Sequence, residues 1–175
     1  MLFMAALAPP ALADRGEARL DALFARLKAT STLDEAQAVE RDIWRSWYAH
    51  ENPEVERIMR GGRENFGHGD RVAARIAFGR ALTIDPEYAE AWNARATAHY
   101  VLGDCERALA DIEQVLALEP RHFGALAGRG LCLEREDKPL AAMRAYEQSL
   151  AIHPHQPTTA ARLAALEDLM GERDI

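Results

Sequence analysis

The chain has 175 residues, 49% of them hydrophobic and 28% charged, a globular balance with enough apolar content for one continuous core. Its formal net charge of −7 and the lack of any basic cluster exclude a nucleic-acid footprint, which needs a cationic face. Beyond the N-terminal thirteen residues, which are themselves too few to cross a bilayer, no stretch suggests a membrane span.

Residues 1–13, MLFMAALAPPALA, are apolar, carry two prolines and end on small residues before the charged run from Asp14 to Glu17. This is the outline of the end of a secretory leader, although the positively charged front is missing. Two readings stand: a trimmed leader, which makes the protein periplasmic or otherwise exported, or an apolar N-terminus packed on the first helix of a cytoplasmic chain. Residues 14–54 then read as a helical hairpin, with helices over 17–29 and 33–49. Thr32 and Glu35 form a capping-box pattern at the second helix. Trp44, Trp47 and Tyr48 crowd its end, which suggests a surface for pairing with another copy.

From residue 55 the chain repeats itself. Pro86, Pro120 and Pro154 recur every 34 residues and define windows 55–88, 89–122 and 123–156. The columns agree well beyond proline: Ile58, Trp92 and Leu126; Gly62, Ala96 and Gly130; Ala74, Ala108 and Ala142; Phe78, Ile112 and Tyr146; Ala81, Val115 and Ser149; then Leu82, Leu116 and Leu150. Within each window the apolar residues fall three and four apart in two runs, so each window predicts two helices. His68-Gly69-Asp70 and Leu102-Gly103-Asp104 separate them, glycine ending one helix and aspartate capping the next. The third window has Asp137-Lys138-Pro139 there, and proline suits the first turn of a helix. Each recurring proline ends the second helix, since its ring clashes with the turn behind it and forces the preceding residue out of helical geometry. The small columns predict close crossings of the paired helices, Gly62 on Ala74, Ala96 on Ala108 and Gly130 on Ala142.

The period, with an aromatic or leucine, a small residue, a Gly-Asp turn, alanine, an aromatic and a terminal proline, resembles the tetratricopeptide repeat family. AEAWNARATAHYVLGDCERALADIEQVLALEP is the nearest copy of that pattern. The resemblance implies an all-α solenoid of antiparallel helix pairs in a bacterial protein, which the leader reading would make an exported one. Pro157 to Met170, with Leu163, Leu166 and Leu169 on one side, reads as a capping helix within the segment 157–175. The hairpin at 14–54 reads as a possible degenerate repeat.

The resemblance also implies that the first helix of each pair lines an inner groove. By helical phase that groove takes Met59, Arg63 and Phe66, then Asn93, Thr97 and Tyr100, then Leu131 and Glu134. The basic and asparagine set with which some members clamp chaperone C-terminal carboxylates is absent. Such a mixed groove suits an extended peptide or a partner helix, or is merely a solvated face.

Other constellations point away from chemistry. Arg95 and Arg129 stand where the family usually has leucine, and Asp111 is the expected ion-pair partner for them; a ligand contact is the alternative. Cys105 and Cys132 fall on neighbouring helix ends and could meet as a disulfide if the chain is exported. His153 and His155 lack further ligands nearby and read as surface loop residues, so no metal site and no cofactor is expected. No phosphate loop, nucleophile elbow or zinc-protease motif occurs. The expected function is therefore a non-catalytic scaffold that binds a protein or peptide. Self-assembly is the second reading, and an enzyme the last.

Overall fold

The computed structural model describes residues 12–173, with side chains described over 16–171. It divides into two compact units, Met1–Ser46 and Trp47–Ile175. Of the leader reading, residues 1–11 lie outside the described residues, and a helix is already formed at Leu12.

The first unit holds α1 (Leu12–Ala29) and most of α2 (Leu33–Tyr48). Buried Leu23, Phe24 and Leu27 on α1, and Ala36, Val39 and Ile43 on α2, keep the helical spacing of three and four. The α2 start is a variant of the predicted capping box. Thr32 Oγ1 accepts from the Glu35 N–H at 3.3 Å, but the Glu35 carboxylate reaches the Ser31 N–H at 3.2 Å rather than that of Thr32. Those contacts hold the Glu35 carboxyl below its ordinary range, the Ser31 N–H contributing most.

The second unit continues with α3 (Pro53–Gly67), α4 (Arg71–Ile84), α5 (Ala89–Val101), α6 (Cys105–Leu118), α7 (Phe123–Arg135), α8 (Pro139–Ile152) and α9 (Pro157–Arg173). Packing is mainly sequential: α3 on α4, α5 on α6 and α7 on α8 most extensively, then each pair on the next, with α8 on α9 closing the row. In addition α5 touches α7, while the second helices make no contact of that extent with one another. The first helices α5 and α7 therefore lie closer together than the second helices, and theirs is the inner side of the repeats. No described helix is long and apolar enough to cross a membrane.

The punctuation works as the residues dictate. Helices α4, α6 and α8 stop at Ile84, Leu118 and Ile152. Asp85, Glu119 and His153, each just before its proline, are extended, with φ of −136°, −135° and −127°. Gly69 and Gly103 take φ of +92° and +86°. Asp137 occupies the same column in the third repeat and adopts φ +56°, a conformation that only short polar side chains tolerate besides glycine. Asp70 and Asp104 cap α4 and α6 by accepting from the Ala73 and Arg107 N–H groups at 2.9 and 3.1 Å.

Ala74, Ala108 and Ala142 are fully buried. The partner of the small column differs from the predicted one. A Cβ added to Gly62 would lie 2.5 Å from Phe78 Cε1, and one on Gly130 would lie 2.2 Å from Tyr146 Cε1. The glycines thus make room for an aromatic ring four residues beyond the alanine. In the middle repeat the same exchange is settled differently, with Ala96 packed in the cluster of the smaller Ile112. Space lost on one helix is returned on the other, as a close-packed interior requires.

Candidate functional site

Phase along the first helices defines the inner face. Met59 and Asn93 share one column with Ala161, Arg63 and Thr97 share the next with Leu131 and Ala165, and Phe66, Tyr100 and Glu134 form the third. These columns contain every residue predicted for the groove, but the structure treats the members differently.

Met59 belongs to the core, 1% exposed in the cluster with Val55 and Tyr88, so it is no groove residue. Asn93 is also buried, and its Nδ2 donates to Glu90 Oε2 at 3.0 Å. Arg63 is exposed with its guanidinium 5.2 Å from the Tyr48 ring centroid. Phe66 and Tyr100 are half-buried, covered by the guanidinium groups of Arg71 and Arg135 at 4.2 and 4.0 Å. Thr97 is exposed and donates its hydroxyl to the Asn93 carbonyl. Leu131 packs against the cluster of Tyr146 and Leu166. Glu134 accepts from the Tyr146 hydroxyl and, at 3.0 Å, from Arg162 Nη1.

The inner face is occupied in its first half and open in its second. Trp47, the penultimate residue of α2, is 8% exposed and stacks on the His122 ring, centroids 4.0 Å apart and planes within 8°. It also meets Phe123 at 5.2 Å, and the Tyr88 hydroxyl donates to the Tyr48 carbonyl at 3.0 Å. In repeat phase Trp47 falls in the column of Ala81, Val115 and Ser149, yet it touches the boundary of the second and third repeats. A linear stack joins each unit only to its neighbours, so this contact lies outside the repeat order.

Its floor is held by other bonds. His122 caps α7, its Nδ1 accepting from the Ala125 N–H at 3.1 Å, so Nε2 carries the proton and donates to Glu90 at 3.3 Å. Phe123 meets the buried His153 ring edge to face at 4.9 Å. His153 is accordingly a core residue, not the surface histidine expected. Sequence reading passed over His122, whose signal is its place at a helix N-cap where serine or aspartate is usual. It also passed over Glu90. Of the aromatic residues assigned to self-pairing, Trp47 has its face engaged within the chain.

The second half opens as a cleft of 540 Å³ lined by Glu134, Pro157, Thr158, Ala161, Arg162 and Ala165. Alanines replace the Asn93 and Thr97 of the middle repeat here, and the loss of side-chain volume makes the opening.

Among the charged pairs, Arg95 grips Asp111 with two bonds of 2.8 and 2.7 Å. Arg129 departs from expectation and pairs with Glu113 at 2.6 Å, two residues further along α6 and on its exposed side. The Arg95 pair lines a smaller cleft of 320 Å³ between α4, α5 and α6, with Arg75, His99 and Arg107. Cys105 and Cys132 are both buried and meet in one cluster, unbridged in this structure. Burial, then the neighbouring Cys105, pushes the Cys132 thiol up to about 12, so it is inert at neutral pH. No cluster of three metal-ligating side chains occurs among the described residues.

Burial pushes the His99 pKa below the usual imidazole value, against Asp111 and Asp104, which favour the charged form. The unfolded chain takes up this proton near pH ~6.5 and the folded chain only at lower pH. Stability from His99 is therefore complete above that value and declines as the pH falls through it. The urea midpoint is expected to be lower at about pH 5.5 than at about pH 7.5, with a smaller difference in His99→Gln. An equal difference in the variant assigns the effect to other groups.

Residues 93–157 match the tetratricopeptide repeat family. A TPR repeat-containing protein of Rhizobium etli is 33% identical over 156 residues, covering 89% of this chain and 76% of its own length. The chain belongs to the tetratricopeptide repeat family. Two solved structures share the fold. MamA superposes with a TM-score of 0.65 at 17% identity over 95% of this chain and 89% of its own. The first TPR of Spaghetti (RPAP3), bound to the HSP90 peptide SRMEEVD, gives 0.65 at 20% identity over 67% and 93%.

Proposed function

We propose that this tetratricopeptide repeat protein is a non-catalytic interaction module that binds an extended peptide of a partner protein on the inner face, at the cleft between α7 and α9. The observation that carries this is the 540 Å³ opening in the same columns as the rest of the inner face. Its floor is small and apolar at Ala161 and Ala165, its edge is the Glu134–Arg162 pair, and Thr158 supplies a hydroxyl. Such a surface takes one apolar side chain while polar groups at the rim meet the peptide main chain. Being preformed on rigid helices, it loses little ordering entropy on binding. The Spaghetti repeat domain, of the same fold, is seen with a peptide bound, which supports the class of ligand.

Ala161→Trp fills the cleft from an exposed position. Peptides selected on the wild-type protein from a random library are expected to bind this variant at least ~10-fold more weakly, a difference of about 1.4 kcal/mol in isothermal titration. Unchanged affinity would move the binding surface elsewhere.

A further inference from the structure

We propose that the recess floored by His122 and Phe123 is a second subsite of the inner face, specific for an indole side chain, and that Trp47 is its resident occupant, exchangeable for a tryptophan of a partner peptide. The inference rests on the inner face being the binding surface and adds the chemistry of the ligand.

Three observations carry it. The first is that Trp47 makes its contacts out of repeat order, as a bound side chain does, whereas every other buried member of its column packs within its own or the adjoining repeat. The second is preorganisation. His122 is fixed by Ala125 N–H on one ring nitrogen and Glu90 on the other, Glu90 is fixed by Asn93, and Phe123 is backed by His153. None of these bonds involves Trp47. The third is recognition of main chain beside the side chain: Tyr88 donates to the carbonyl of Tyr48, the residue following the indole. An aromatic platform with a hydroxyl aimed at the next carbonyl is how a peptide residue is held.

Selectivity follows from shape. The imidazole of His122 lies parallel to the indole and offers a flat face, so an aliphatic side chain forfeits the stack. Tryptophan gains both the stack and the tilted contact with Phe123. Because the resident indole is on the same chain, it competes at an effective concentration in the millimolar range. A partner must exceed that or bind the open cleft at the same time.

The test uses the full chain labelled at histidine and an acetylated peptide, IWRSWYAH, copied from residues 43–50. The stacked indole displaces the His122 ring signals by its ring current. In Trp47→Ala this displacement is expected to vanish and to return on adding the peptide, with affinity at least ~10-fold above that of the wild type, whose site is filled. The peptide with alanine in place of its second tryptophan is expected not to restore it. If Trp47→Ala does not fold, Trp47→Phe serves, since a phenyl ring keeps the recess filled and should yield to the peptide at intermediate concentration. Signals of His122 that ignore the peptide, or answer equally to its alanine version, overturn the proposal. Ala161→Trp leaves this readout unchanged, so the failure of the cleft and the failure of the indole subsite are separate results.

Discussion

Alanine in place of Gly130 is expected to cost about 1–3 kcal/mol of stability, the usual penalty for overpacking a well-filled core. For a chain of this size each kcal/mol lowers Tm by roughly 2–4 °C, so calorimetry reads the effect directly. The methyl group would sit 2.2 Å from Tyr146 Cε1, far inside contact distance. The ring has little freedom to yield, being 1% exposed and tied through its hydroxyl to Glu134. Gly62→Ala makes the same collision with Phe78 at 2.5 Å, but that ring has no hydroxyl to anchor it, so the smaller loss is expected there. The middle repeat supplies the remedy. Combining Gly62→Ala with Phe78→Ile rebuilds the Ala96 and Ile112 arrangement, and the double variant is expected to be more stable than the sum of the single losses implies. Strict additivity, or a Gly130→Ala loss below about 0.5 kcal/mol, would show that the rings move aside freely.

The repeat and its backbone chemistry were legible because they are local. Proline forbids the helix behind it, glycine and aspartate set the turns, and three-four spacing sets the faces, all within a few residues of one another. The groove columns followed from phase alone, and the open cleft continues the same columns into α9. What phase does not supply is depth. Met59 and Asn93 share the groove columns with the exposed Arg63 and Thr97, yet both are buried, one in the Tyr88 cluster and one against Glu90. The course of Trp47 was equally illegible, since a contact across 75 residues, between Trp47 and His122, leaves no local pattern. Only the unusual capping residue hinted that position 122 had a second role. Arg129 failed for a related reason: both arginines share a column, but the third repeat has Ala145 where the second has Asp111, and Arg129 turned back to Glu113.

Breaking the Arg95–Asp111 pair from either side is expected to produce the largest losses of any single charge change. Asp111 is 7% exposed at its side chain and takes both bonds from a guanidinium that is itself only 24% exposed and lies 4.7 Å from the Trp92 ring centroid. Breaking a buried pair leaves one desolvated charge without compensation, which costs about 3–5 kcal/mol. Asp111→Ala should fall near the lower end, because Arg95 keeps some contact with water and an aromatic face. Arg95→Leu should fall near the upper end, because the stranded group is the more deeply buried carboxylate, from which His99 Nε2 stands 4.0 Å away. That substitution also removes a cation that lowers the His99 pKa, so His99 is expected to titrate at higher pH in this variant, and NMR of its ring signals follows the change. The double replacement Arg95→Leu with Asp111→Leu restores the leucine that the family usually carries in the Arg95 column. It is expected to lie within about 1 kcal/mol of the wild type or above it, since a well-packed apolar pair often equals a buried ion pair. Chemical denaturation of the three variants decides the matter. Single losses under about 1 kcal/mol would mean that water screens the pair as it does at an open surface, and the middle repeat would then owe its stability to Ala96, Ala108 and Ile112 alone.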